Sequence, residues 1–509
     1  MILTLPLDIC RDEIFKYLSV KEICKVRLLC KLSKKLIDGF FTDEVYRKKL
    51  IESEVSKDII NSKFIREVCK YDHSTLEKFK SIITFSKHQG HEYFFNKKSM
   101  DSDTPKEKEI IDIKLIKEMT GYDIISHKVN FSTYDYFIKD EFDISNCKLD
   151  KIPKEIGYLT QLKELNLSQN EITELSKEIG NLIQLKILDL SENELTNLPE
   201  EIGELVQMRV LYLGNNLLEF PKNITKFVRL VTLTLTNNKI TTLPKEIENL
   251  VSLESLDISY NSLTTLPKEF GNLIHLNMLI LANNQLTSLP TEIENLTHLI
   301  YLSLEHNRLV TLPREIVKLS QLKNLYLSAN KLIQLPKKIG KLDRLEILDL
   351  SDNKLIQLPK ISNLVNLESM ELQNNRLTSF PEKIDGLIKL DYLDLKNNSL
   401  TELPKEIGYI TQLKELNLSQ NKLTDIPMEI KELKKLRYLY LRNNQLTIFP
   451  GGVKKLNELI KLDLGENKLT ALPNELCNFK NLFELSIDNN GPIKPPKFLK
   501  NIKLCFLKI

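Results

Sequence analysis

One frame, LxxLxLxxNxL, recurs through most of this 509-residue chain and limits it to very few architectures. It first appears complete as Leu162-Lys-Glu-Leu165-Asn-Leu167-Ser-Gln-Asn170-Glu-Ile172. Its Asn returns at 193, 216, 238, 261, 284, 307, 330, 353, 375, 398, 421, 444, 467 and 490, a period of 23 residues shortened to 22 twice. One period earlier, Phe142-Asp-Ile144-Ser-Asn-Cys147-Lys-Leu149 fits the frame with Cys in the Asn slot. Leu504-Cys-Phe-Leu507-Lys-Ile509 reads as a seventeenth strand cut at its last apolar position. The expectation is sixteen full repeats over residues 141–509.

Alternate residues of the LxL segment point inward along a strand, and strands of successive repeats pair into one long parallel sheet. The Asn sits where the chain leaves the strand. Its side chain offers donors and an acceptor to turn amides and carbonyls that would otherwise be unpaired, so stacked copies predict a buried hydrogen-bonded ladder. Cys147 imitates it only weakly, which suits a terminal repeat. Fifteen repeats carry Pro after the next apolar residue, from Pro153 to Pro496, with Ser176 the exception. Proline fixes φ and withholds a donor, so the convex side is expected to return in short turns rather than long helices.

These residues resemble the short Ras-group or LAP-like leucine-rich repeats, whose consensus LPxEIGxLxxLxxLxLxxNxLxxLP is nearly verbatim at residues 198–218. The resemblance implies an α/β solenoid, a horseshoe with a long parallel sheet on its concave face, and a protein-binding role without a particular ligand.

Hydrophobic residues at 42% and charged residues at 28% are ordinary globular proportions, and no run of 18 apolar residues could span a bilayer. The first fifteen residues lack a basic leader and a long apolar run. Seven cysteines are scattered without paired spacing, as expected of reduced thiols in cytoplasm or nucleus. Asn-x-Ser/Thr sequons, for example at Asn166 and Asn295, are the one pointer to secretion, and the abundance of Asn and Thr accounts for them.

The solvent-facing strand positions, with the residue before each Asn, hold sixteen acidic residues against three basic ones, Lys396, Arg442 and Lys461. Residues 141–509 contain 46 of each sign, so the other faces carry the compensating positive charge. An acidic strip steers a basic partner and repels nucleic-acid phosphates. Asp between the two leucines can equally be a habit of this repeat. Two clusters stand out within the strip: Tyr260, Met278, Ile280, Ala282 and Tyr301, and then Tyr392, Lys396, Tyr438, Tyr440, Arg442 and Lys461. Aromatics with Arg are the composition of interface hot spots, although single exposed aromatics are also normal surface. Asp349, Glu371 and Asp394 are the acids chosen to carry steering of a basic protein ligand.

At the front, Leu5-Pro6 precedes Asp8-Ile9, and apolar residues at helical spacing run from Ile14-Phe15 to Ile37. Ser19 with Glu22 forms a capping box that starts a second helix. Three short helices bury little area alone, so such a module gains stability from a partner over its apolar face. These residues resemble an F-box, with its Leu-Pro start and Ile-Phe-x-Tyr-Leu core. In that family the module docks a Skp-type adaptor, which joins a cullin, while a downstream repeat domain captures the substrate for ubiquitination. Carried over by position, Leu5, Pro6, Ile9, Ile14, Phe15, Leu18, Ile23, Val26 and Cys30 form the adaptor-binding or core face. Asp8 replaces the usual Glu, and Ser33 stands where Trp is usual. The other readings of this module are an unrelated helical cap over the first repeat, and a Ras-group signalling scaffold with no role in ubiquitination.

Three segments follow: a helical module at 1–50, a helical and linker region at 51–140 that caps the solenoid or sets module spacing, and the repeats at 141–509. His88 and His91 have metal-like spacing but no other ligands cluster near them. No phosphate-binding loop, GxGxxG, HExxH or nucleophile elbow is present, so neither catalysis nor a cofactor is expected.

Overall fold

The computed structural model describes residues 140–491 and 506–508. The module at 1–50, the region 51–140 but for its last residue, His88 and His91 lie outside the described residues. The described part falls into two units that divide after Leu217.

The first unit holds four strands: β1 (Glu141–Asp143), β2 (Glu164–Asn166), β3 (Ile187–Asp189) and β4 (Val210–Tyr212). Each pairs in parallel with the next, as Leu165↔Leu188↔Leu211. The second unit repeats the pattern in β5 (Thr232–Thr234), β6 (Ser255–Asp257), β7 (Met278–Ile280), β8 (Tyr301–Ser303), β9 (Asn324–Tyr326) and β10 (Ile347–Asp349). It continues through β11 (Ser369–Glu371), β12 (Tyr392–Asp394), β13 (Glu415–Asn417), β14 (Tyr438–Tyr440), β15 (Lys461–Asp463) and β16 (Glu484–Ser486) to β17 (Phe506–Lys508). β17 pairs in register with β16, Leu485 against Leu507. The central residue of each strand from β2 to β16 is buried, as is the apolar residue two positions further on, with Leu256, Ile258, Leu279 and Leu281 all fully inaccessible. Burying one such side chain contributes roughly 1.5–3 kcal/mol, and only the neighbouring repeat supplies the cover.

The asparagine ladder is present and has a direction. Asn330 Oδ1 accepts from Leu309 N at 3.0 Å in the preceding repeat, while its Nδ2 donates to Leu304 O at 2.8 Å there and to Leu327 O at 3.1 Å in its own. The pattern recurs from Asn170 to Asn216 in the first unit and from Asn261 to Asn490 in the second; Asn170, for example, receives Cys147 N and Leu149 N. Each Asn therefore completes the turn of the repeat before it. In the Cys147 slot the Sγ donates to Ser145 O at 3.3 Å, a weak copy of the contact that Asn170 makes to Ser168 O.

Sixteen residues immediately before the ladder slots, from Asn146 to Asn489, have φ between 51° and 59°. None is Gly; Gln169, Glu192, Tyr260, His306 and Ala329 are among them. A left-handed residue costs roughly 1–2 kcal/mol for an ordinary side chain, and the ladder bonds on both sides hold it there.

Most returns between the described strands are 3-10 turns that begin on the proline, as in Pro267 (φ −69°, ψ 153°) before Lys268–Asn272, where Phe270 N donates to Pro267 O at 3.1 Å; the turn at Ile339–Lys341 instead follows Lys338, and the returns after Pro359 and Pro381 form no 3-10 helix. Ser176 adopts the same geometry, φ −69° and ψ 148°, and its Oγ is buried with no hydrogen-bond partner. Ser176→Pro is therefore expected to raise stability by about 1 kcal/mol. The backbone is already in proline geometry, the unfolded chain loses freedom, and the orphaned hydroxyl goes. A higher thermal midpoint checks this; a lower one shows that the site cannot accept the ring.

Candidate protein-binding face

The solvent face of the sheet consists of the first and third residues of each strand, and the parallel register converts these into two rows. In the second unit the first row runs Met278, Tyr301, Asn324, Ile347, Ser369, Tyr392, Glu415, Tyr438, Lys461 and Glu484. The second runs Ile280, Ser303, Tyr326, Asp349, Glu371, Asp394, Asn417, Tyr440, Asp463 and Ser486.

The first apolar cluster is only partly assembled. Met278 (40% exposed) and Tyr301 are direct neighbours, with Ile280 on the same strand as Met278. Tyr260 (59% exposed) is instead one of the left-handed residues, its N–H donating to Ala282 O at 2.9 Å in the turn. Sequence reasoning missed Tyr326. Its ring lies 5.3 Å from that of Tyr301, tilted by 42°, and carries the aromatic surface onto β9. Its third-residue slot on β9 was the available signal.

Asp349, Glu371 and Asp394 stand side by side on three consecutive strands. Like charges directly opposite repel. Burial pushes the Glu371 carboxyl above the ordinary range despite a hydrogen bond from Gln373, and Asp349 and Asp394 push it further. Burial likewise raises Asp394, opposed by hydrogen bonds from Lys396 N and Asn417 Nδ2. Glu415 is raised by burial and then by Asp394. Tyr392 sits among the three, its hydroxyl pushed far up by burial and by Asp394, Glu371 and Glu415. Lys396, exposed, is the base adjoining this group through Asp394.

The strand aspartates also have a structural task. Asp189, Asp257 and Asp349 each accept from the backbone N–H and hydroxyl of the serine two residues on, at 2.6–2.9 Å. Asn166 and Asn417 do the same work uncharged, accepting from Ser168 N and Ser419 N. The turn explains an Asx residue in that slot; it does not explain the charge.

The other two bases of the face are engaged. Lys461 Nζ pairs with Glu484 at 2.9 Å and lies 5.4 Å from the centroid of Tyr440. Arg442 reaches across two repeats to clasp Asp488 with both terminal nitrogens, at 3.0 and 2.8 Å, and donates to Glu466 at 2.7 Å. Asp463 stands 3.6 Å away. Gly465 makes the span possible, because a Cβ there would collide with Arg442 Nη1 and sit 2.7 Å from Asp488 Oδ1. Arg442 thus neutralises the acids at this end of the face, with Tyr438 and Tyr440 beside it on β14, whereas Asp349, Glu371, Asp394 and Glu415 on β10–β13 form no ion pair among the described residues.

The nine adaptor-face positions, Leu5, Pro6, Ile9, Ile14, Phe15, Leu18, Ile23, Val26 and Cys30, lie outside the described residues. All nine fall inside residues 2–41, which match the F-box domain family. The leucine-rich repeat region family matches 142–233 and 268–354, and a second leucine-rich repeat family matches 228–286 and 388–446. No match is found among curated proteins. Among solved structures, a leucine-rich-repeat protein of Leptospira interrogans is 40% identical with a TM-score of 0.67, the match covering 74% of this chain and 97% of that one. The plant peptide hormone receptor RGFR1 in complex with RGF2 is 30% identical, with a TM-score of 0.62, over 70% of this chain and 64% of the receptor. The functional domain of InlJ from Listeria monocytogenes, 23% identical with a TM-score of 0.58 over 69% of this chain and 73% of that one, shares the fold. No helix among the described residues is long and apolar enough to cross a membrane.

Proposed function

The chain belongs to the leucine-rich-repeat proteins and carries an F-box ahead of its repeats, and on that premise we propose that it is the substrate-recognition subunit of a cullin-type ubiquitin ligase. The pairing of the two modules marks a protein–protein interaction protein. The observation that carries the finer reading is the F-box match at 2–41 in the same chain as a sheet face able to hold a protein ligand. In this reading Leu5 and Pro6 seat the chain on a Skp-type adaptor, the adaptor joins the cullin, and the repeats present the substrate. The chain itself supplies position rather than catalysis.

The test is co-purification of the full chain with a Skp-type adaptor. Leu5→Ala with Pro6→Ala is expected to weaken that association at least about tenfold, roughly 1.4 kcal/mol, with repeat stability unchanged. Undiminished adaptor binding by this variant removes the F-box role and leaves the scaffold reading.

The substrate is proposed to offer basic side chains to β10–β13. Carboxylates of Glu371, Asp394 and Glu415 around the Tyr392 ring, with Asp349 next to Glu371, can pair with a guanidinium or ammonium and set a cation over an aromatic face. Charge reversal at Asp349 would also break the Ser351 turn, so neutral isosteres are the cleaner probes. Asp349→Asn, Glu371→Gln and Asp394→Asn together are expected to slow association with a basic partner and flatten its salt dependence.

The same variant is expected to be more stable at pH 7. A carboxyl whose folded-state pKa is raised, as for Glu371 and Asp394, favours folding below its ordinary pKa and loses that contribution as pH rises through the raised value. At pH 7 these two groups therefore cost stability, and removing their charge raises the midpoint. The gain should fade below about pH 4, where both states are protonated. A variant less stable than the parent at pH 7 contradicts this account of the face.

A further inference from the structure

A second surface lies on the edge of the sheet just past the ladder asparagines, and it has the opposite sign. In four consecutive repeats the residue after the Asn is a base: Arg308, Lys331, Lys354 and Arg376. All four are exposed, and among the described residues none is in an ion pair. Elsewhere in this unit the slot holds Lys239, Lys422 and Lys468 but also Ser262, Gln285, Ser399 and Gln445, so a base is not required by the fold.

Two residues further on, the same stretch departs from the repeat again. The usual occupant is Thr, as at Thr264, Thr287, Thr378 and Thr401, but here it is Val310, Ile333 and Ile356, exposed by 45%, 45% and 53%. Adjacent repeats are tied along this edge by Lys331 N to Leu309 O, Lys354 N to Leu332 O and Arg376 N to Leu355 O, each 2.9 Å. Those bonds hold the rows at strand-like spacing, roughly 4.8 Å per repeat. The result is a continuous ridge of β-branched apolar side chains beside a continuous line of unpaired positive charge. The residues after the ridge, Thr311, Gln334, Gln357 and Ser379, are uncharged. The flanking carboxylate Asp352 is held by Asn374 Nδ2 at 2.9 Å.

We propose that this edge, Arg308, Lys331, Lys354 and Arg376 beside Val310, Ile333 and Ile356, docks an acidic protein segment that interleaves carboxylates with apolar side chains. Charge complementarity selects the carboxylates, and the ridge selects what lies between them. A nucleic-acid backbone satisfies the bases but leaves the ridge uncovered, and no aromatic side chain stands in the two rows to stack on bases. The proposal is independent of the F-box and of the acidic face, so it stands or falls without the ubiquitin-ligase reading.

The experiment measures fluorescence anisotropy of a labelled peptide of alternating Glu and Leu against the full chain, with poly-Glu and a single-stranded DNA oligonucleotide of equal length as comparisons. Two variants use residues the repeat already accepts: Val310→Thr/Ile333→Thr/Ile356→Thr, and Arg308→Gln/Lys331→Gln/Lys354→Gln/Arg376→Ser, each shown by circular dichroism to retain the parent fold. The expected result is binding of the Glu-Leu peptide that weakens about tenfold in either variant. Equal or tighter binding of poly-Glu or DNA overturns the proposal in favour of bare charge. Peptide binding untouched by both variants overturns it too, as does self-association of the chain that both variants abolish, which would assign the edge to a second copy.

Discussion

Replacing Asn330 by Ala is expected to destabilise its region by roughly 2–3 kcal/mol, more than Cys147→Ala. The variant leaves Leu309 N buried without its acceptor, at about 1–3 kcal/mol, while Leu304 O and Leu327 O each lose one of two donors and keep Asn307 Nδ2 and Asn353 Nδ2. The Cys147 thiol is a weak donor where Asn330 offers an amide, its Sγ donating to Ser145 O at 3.3 Å. Its truncation should cost under about 1.5 kcal/mol. Because a repeat array need not unfold in one step, the sharper readout is hydrogen exchange. Protection at Leu309 N should collapse in Asn330→Ala while strands several repeats away keep theirs. Equal losses from the two substitutions would contradict the directional ladder.

The second large effect is expected at Arg442. Arg442→Met removes the cation that Asp488, Glu466 and Asp463 share. Asp488 is almost wholly buried, its side chain 7% exposed, so it loses its guanidinium partner in low dielectric. Removing one partner of such a pair costs roughly 3–5 kcal/mol when fully buried, and about 2–4 kcal/mol is expected here because Arg442 keeps 25% of its side chain in water. Adding Asp488→Asn should restore part of the loss, since it removes the carboxylate that the guanidinium faced. Urea midpoints for the two single variants and the double variant measure the coupling. Strict additivity would mean that the clasp seen across Gly465 contributes nothing.

The repeats, their register and the ladder were legible because each is dictated every 23 residues by the same few side chains, and a stacked strand can bury its leucines in one way only. The proline returns followed from backbone chemistry for the same reason. The left-handed residue before each Asn was not legible: Gln169, Tyr260, His306 and Ala329 share no chemistry that announces positive φ, and the constraint comes from neighbouring repeats. On the candidate face, adjacency of Asp349, Glu371 and Asp394 could be counted from the period. The engagement of Arg442 could not, because it depends on a missing Cβ one repeat away and a carboxylate two repeats away. Composition suggested a base available to a ligand; geometry shows one already committed to three acids.

The one-way ladder also sets how the array can grow during synthesis. As each repeat leaves the ribosome its turn carries open amide and carbonyl positions, and these close only when the next Asn, some twenty residues later, folds onto them. A nascent chain halted at any interior repeat therefore presents an unsatisfied, adhesive end, and addition of the next unit is the step that quenches it. At the ladder the same asymmetry applies to trimming: removing a repeat from the carboxyl side leaves the turn amide it served without an acceptor, whereas removing one from the amino side leaves an Asn with spare capacity, together with strand amides such as Lys323 N and Asn324 N that donated to Ile300 O. The array is in this sense a zipper that closes from one end.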